Sequence, residues 1–155
     1  MRGVYVVSTQ IATLSIAKTV LLGTCPTGTL IEILEAYLTN SNQNMLEQLQ
    51  IGLFKVTTLG TTVGTAITAG NVLKTEEGSG DTLVTWKSNL TTEPTAFNAN
   101  AMHIEGVINA AGYKYEPSPE ARRFVSSGQS FGLRLLTNPA YSFRAECMIT
   151  YREIG

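Results

Sequence analysis

Tyr141-Ser142-Phe143-Arg144-Ala145-Glu146-Cys147-Met148-Ile149-Thr150-Tyr151-Arg152 is the stretch whose reading decides the fold. Tyr141, Phe143, Ala145, Cys147, Ile149 and Tyr151 alternate with Ser142, Arg144, Glu146, Thr150 and Arg152, and only Met148 interrupts the polar set. A period of two suits a β-strand with one face buried and one face wet. Residues 131–136 read as a strand and Asn138-Pro139 as the turn after it, so the last quarter of the chain predicts two strands in succession.

Further upstream the same signs recur. Residues 122–126 read as a strand, separated from 131–136 by Ser127-Gly128-Gln129. Met102, Ile104 and Gly106 alternate with His103, Glu105 and Val107, which predicts a strand with His103 on its solvated side. Residues 30–38 fit two patterns: Leu30, Ile33, Leu34, Tyr37 and Leu38 fall at helical spacing behind a Thr29/Glu32 capping box, while Leu30, Leu34, Ala36 and Leu38 share one strand face. The polar cluster 39–44 and the alternating Leu49, Ile51 and Leu53 that follow favour strand, paired with 49–56 as a hairpin. Residues 3–8 predict a short strand or an extended arm. From 57 to 100 the pattern fades into a Thr/Gly-rich excursion, and a loop of that length is functional or covers something. About eight short strands with turns between them predict one all-β domain over 1–155, a jelly-roll-like sandwich of antiparallel strands with little helix.

Composition narrows the function classes. Charged residues are 15% of the 155, apolar residues 43%, and the formal net charge is −1. A chain of this size buries roughly 68–70% of its unfolded surface and needs no staple. Without a basic stripe, nucleic acid is not an expected partner. The apolar stretch 4–17 is broken by Ser8, Thr9, Gln10, Thr13 and Ser15 and closed by Lys18, so neither an export signal nor a membrane span is expected. Cys25 and Cys147 are read as free core thiols in preference to a disulfide.

No reactive constellation is legible. His103 is the only histidine, without the partners of a triad or metal site. Gly60-Thr61-Thr62-Val63-Gly64-Thr65 lacks the lysine of a phosphate loop, and Gly78-Ser79-Gly80 is a flexible turn. Glu76, Glu77 and Asp81 lack EF-hand spacing. Asn89-Leu90-Thr91 is a glycosylation sequon, meaningful only on a secretory route. Glu116 and Glu120, beside Arg122 and Arg123, are expected at a surface or interface, not as a glycosidase pair. Trp86 is expected in the core. Tyr113 and Tyr115 are open between core and an exposed aromatic platform that would also draw on Phe97. No catalytic, cofactor-binding or metal residue is assigned, no cofactor is expected, and the chain is not expected to be an enzyme.

The order of features carries a resemblance. A first strand leads to the 30–38 and 49–56 segments. A Thr/Gly-rich excursion then contains Asn71-Val72-Leu73-Lys74-Thr75-Glu76-Glu77-Gly78. Pro117-Ser118-Pro119-Glu120 precedes Phe124-Val125-Ser126-Ser127-Gly128, and the closing strand runs through Met148-Ile149-Thr150-Tyr151. In this layout, over nearly the whole chain, the protein resembles the single-jelly-roll head decoration (cement) proteins of tailed phages. The resemblance implies a non-enzymatic structural virion protein that decorates and stabilises a capsid, its implied partners being two sister subunits in a homotrimer and a major capsid protein. It implies a location on the capsid surface after synthesis in the host cytoplasm. The loops at 57–100 and 113–119 and the segment 1–8 would then be candidates for subunit or capsid contacts. The alternative is a carbohydrate- or receptor-binding module, such as a fibre-tip knob, using Trp86 or Tyr115.

Overall fold

The computed structural model describes residues 3–41 and 46–155. Its strands are β1 (Gly3–Leu14), β2 (Lys18–Thr24), β3 (Leu30–Asn40), β4 (Gln48–Thr58), β5 (Val63–Ile67), β6 (Leu73–Lys74), β7 (Thr85–Thr92), β8 (Ala96–Phe97), β9 (His103–Ile108), β10 (Tyr113–Tyr115), β11 (Arg123–Val125), β12 (Ser130–Leu135) and β13 (Phe143–Ile154). The only helices among the described residues are two single 3₁₀ turns, Ala69–Asn71 and Pro119–Ala121.

The strands form two antiparallel sheets. Sheet A runs β10-β3-β13-β1-β6, with β11 also on β3; sheet B runs β5-β7-β2-β12-β4-β8, with β9 also on β4. Reduced to eight positions, β1-β13-β3-β10/β11 faces β2-β12-β4-β9. That interleaved order is the double Greek key of a jelly roll. The remaining strands belong to the 57–100 excursion, which widens sheet B beyond β2 and adds the short β6 to the edge of sheet A.

The expected hairpin of 30–38 with 49–56 is absent, because β3 and β4 lie in different sheets. β3 pairs with β13, β10 and β11, whereas β4 pairs with β12, β8 and β9. Residues 42–45, which include the end of the polar cluster between these strands, lie outside the described residues, as do residues 1–2. Likewise β11 and β12, on either side of the 127–129 turn, belong to different sheets. Gly128 sits there at φ +73°, a conformation that favours glycine. Its N–H bonds Cys25 O at 3.1 Å, and Gln129 O accepts from Cys25 N at 2.9 Å, fastening the turn to the end of β2.

The final strand behaves as its alternation predicts from Phe143 on: Phe143, Ala145, Cys147, Ile149 and Tyr151 are buried, and Glu153 continues the inward set. Tyr141 does not belong to it; it precedes the strand and is exposed. Strand also prevails in 30–38, with a different inward face. Thr150 pairs with Glu35 and Tyr151 with Ile33, so Leu34 is the extra residue of a bulge. The bulge resets the alternation, and the buried set is Ile31, Ile33, Ala36 and Leu38 while Leu30 and Leu34 turn outward. These side chains meet Leu49, Ile51 and Leu53 of β4 and Phe131, Leu133 and Leu135 of β12 in one continuous core. Each fully buried side chain of this size contributes about 1.5–3 kcal/mol relative to exposure.

Candidate functional site

The two outer faces of the sandwich differ. That of sheet B is covered by the excursion over β2 and β12, while Ile104 and Ile108 of β9 stay exposed. Glu93 accepts a hydrogen bond from Thr19 N at 2.8 Å and a second from the Thr19 hydroxyl, and the Arg134 guanidinium lies 3.7 Å from the centre of the Phe97 ring. Thr19, Leu22 and Leu90 are buried beneath and within this crossing.

Sheet A keeps its outer face open, and the pairing register lays it out in rows. At one end Thr39, Glu146 and Gln10 lie side by side; the next row is Lys114, Tyr37, Met148 and Ser8. Below them come Glu35, Thr150, Val6 and Leu73, then Phe124, Glu32, Arg152 and Val4. The far end carries Leu30 beside Ile154. One end is thus polar and the other largely apolar, with Leu73 64% and Phe124 44% exposed. The apolar end holds one charged cluster: Glu32 accepts from Arg152 Nη1 at 2.8 Å and Arg122 Nη1 at 3.3 Å.

The polar end forms a groove of about 610 Å³ lined by Ser8, Gln10, Tyr37, Thr39, Glu146 and Met148 among others. Gln10 Nε2 donates to Glu146 at 3.0 Å, and its carbonyl accepts from Arg144, which orients the amide. The Lys114 ammonium lies 5.6 Å from the centre of the Tyr37 ring and pairs with Glu116. That hydrogen bond holds the Lys114 pKa above its ordinary value, and burial together with the nearby Glu35 raises that of Tyr37. Sequence inspection missed this site because its residues come from three strands. The single trace was Met148, the apolar residue in an otherwise polar alternation.

The residues singled out from sequence fall elsewhere. Trp86 is a core residue whose Nε1 donates to Tyr151 OH at 3.1 Å. Tyr113 and Tyr115 are buried, so neither forms an exposed platform; Phe97 is half-buried against Phe54 and Arg134. His103 is not on the solvated side of its strand. It pairs with Leu53, as Val107 pairs with Leu49, so both face inward while Ile104 and Ile108 are exposed. Its Nδ1 lies 2.8 Å from Tyr113 OH, and its ring is 5.0 Å from that of Tyr115. Burial, with Glu105 and Tyr115 nearby, pushes the Tyr113 hydroxyl well above its ordinary range.

Glu116 pairs with Lys114, whereas Glu120 sits exposed on the second 3₁₀ turn, so the two carboxylates are held by different local structures. Asp81 pairs with Lys74 at 2.7 Å, and Glu76 and Glu77 are exposed. Part of the glycine-spaced stretch 60–65 is strand, since β5 starts at Val63. Asn89 of the sequon has φ +49° within β7 and accepts a hydrogen bond from Lys18 Nζ. Residues 3–8 are strand, paired to β13 from Gly3↔Glu153 to Ser8↔Met148. Cys25 and Cys147 are free and buried; burial, with Glu146 adjacent, pushes the Cys147 thiol up to about 12.

Among the described residues no group of three or more His, Cys, Asp or Glu side chains is placed to hold a metal ion. No helix there is long and apolar enough to cross a membrane. Comparison of the chain with protein-family models, with curated proteins and with solved structures finds no match.

Proposed function

We propose that this chain is a non-enzymatic structural virion protein, a jelly-roll subunit that decorates and stabilises a phage capsid as a homotrimer. The observation that supports it most is the open outer face of sheet A, which presents Val4, Val6, Leu30, Leu73, Phe124 and Ile154, whereas the chain's own excursion crosses β2 and β12 of sheet B. Apolar side chains gathered on an outer face mark interaction surfaces. A cyclic trimer buries such a face by heterologous contacts that close on themselves. In this reading the capsid surface is the working location and the major capsid protein the second partner.

Light scattering after gel filtration tests the assembly. A mass of about 50 kDa, three times the 16.7 kDa chain, is expected of the closed ring. Titration against undecorated capsids then tests the partner. A monomer that also leaves capsids bare overturns the proposal.

The groove around Tyr37 favours a second reading, a carbohydrate- or receptor-binding module. An aromatic ring beside an oriented amide and carboxylate is a chemistry suited to sugar hydroxyls. With Trp86 and Tyr115 buried, the discriminating variant on a glycan array is Tyr37→Ala.

A further inference from the structure

We propose that the cleft between β4, the segment 98–102 and β11 is an oxyanion site, built to take the carboxylate or phosphate group of a small ligand. The cleft has a volume of about 470 Å³, and its lining includes Lys55, Asn98, Asn100, Met102, Arg122 and Arg123. Three of the chain's 11 lysines and arginines therefore meet in one place, and no Asp or Glu lines it. In a protein of net charge −1 this is a local concentration of positive charge. A pocket of this size falls in the range that holds small ligands.

The surrounding hydrogen bonds fix the donors in place. Asn98 N donates to Lys55 O at 2.8 Å and Met102 N to Leu53 O at 2.8 Å, which laces 98–102 to β4. Asn98 Oδ1 accepts from Asn100 N at 2.9 Å, so the amide has its oxygen engaged and its NH₂ left as a donor. Arg123 Nε donates to Met102 O at 3.1 Å, which anchors the guanidinium by its inner nitrogen and leaves the outer pair for a ligand. Glu32 pairs with Arg122, but Arg152, at 2.8 Å, holds it more closely than Arg122 does at 3.3 Å, and Glu105 and Glu116 line a separate hollow on the other side of Arg123. Arg122 Nε is buried with no hydrogen-bond partner among the described residues. The site is thus rich in donors and short of acceptors, the complement of an oxyanion. Arginine pairs with carboxylate and phosphate through two parallel bonds, and such charge-assisted bonds are about twice as strong as neutral ones.

The test is an amide NMR titration of the full chain with inorganic phosphate and with glucuronate, each against sodium chloride of equal ionic strength. Saturable shifts confined to 98–102 and 122–124 are expected. A response to phosphate alone, to glucuronate alone or to both supports the site and assigns the group it prefers. Arg123→Gln and, separately, Lys55→Gln should each weaken binding about tenfold, the loss of roughly one charge-assisted bond. Lys55→Gln removes a side chain that makes no ion pair among the described residues, so it serves if Arg123→Gln disturbs folding. Shifts no larger than those with chloride, or binding unchanged in both variants, overturn the proposal.

Discussion

Replacing Tyr151 with Phe removes one oxygen atom from the centre of the sandwich and tests how the two sheets and the excursion are joined. The Tyr151 hydroxyl, on β13 of sheet A, accepts from Trp86 Nε1 of β7 at 3.1 Å and lies 2.7 Å from the Thr82 hydroxyl. Thr82 keeps a second partner, Glu153 Oε1, which also accepts from Leu83 N at 3.0 Å. The indole N–H loses its acceptor in a site where Trp86 is only 2% exposed. A buried donor left unpaired costs about 1–3 kcal/mol. With a urea m-value of about 1–3 kcal/mol per molar, the unfolding midpoint should fall by about 1 M. Equilibrium unfolding in urea, followed by far-ultraviolet circular dichroism, measures it in every variant. The double variant Tyr151→Phe/Trp86→Phe removes donor and acceptor together, so its cost should fall short of the sum of the single costs by about 1 kcal/mol. A Tyr151→Phe midpoint shift worth less than about 0.5 kcal/mol, the scale of a neutral surface change, would refute this account of the junction. So would strict additivity in the cycle.

Three further outcomes follow from the same structure. Gly23→Ala would place a Cβ 2.8 Å from Trp86 Cη2 and from Phe131 Cε1, so thermal unfolding should show a loss of about 1–3 kcal/mol from overpacking. Leu73→Asp, on the open face of sheet A, should leave stability within about 0.5 kcal/mol of the parent while the proposed trimer gives way to a 16.7 kDa monomer by light scattering; a mass unchanged by the substitution would move the proposed interface elsewhere. Stability should also fall at high pH. The Cys147 thiol is raised from 9.0 to about 12 in the fold, so between those values the unfolded chain releases a proton that the folded chain keeps. That contribution is complete below pH 9 and is lost as the pH rises through about 12. The slope approaches about 1.4 kcal/mol per pH unit for each such group. Tyr113 and Tyr151, raised above 10.0 by burial, add to it at the alkaline end. Urea midpoints from pH 8 to 11 measure the slope, and Cys147→Ala should reduce it.

What the chain declares by itself is what neighbouring residues can encode. The alternation from Phe143 to Tyr151 marks a half-buried strand, because side chains two apart share a face whichever strand lies beside them. Ser127-Gly128-Gln129 marks a turn because glycine accepts φ +73° without a Cβ penalty. From such local signs an all-β sandwich with little helix was legible, as were Trp86 and the two free thiols in its core. Pairing was not. The polar segment after β3 looks the same whether it closes a hairpin or crosses to the other sheet. The outcome depends on β13 entering between β1 and β3 from the far end of the chain. The inward face of β3 escaped for the same reason, since the bulge at Leu34 exists only in register with Thr150 and Tyr151. His103 was assigned to the wrong face because Met102, Ile104 and Gly106 offer as good a local alternation as the true inward set. Leu53 and Leu49 across the ladder settle which set is buried. Both candidate sites belong to this second class. The Tyr37 groove joins three strands through cross-strand neighbours, and the basic cleft gathers Lys55, Asn98 and Arg123 from three separate segments. A strand's period is a property of its own backbone, whereas a site is made by non-local pairing, and only the folded sandwich brings those residues together.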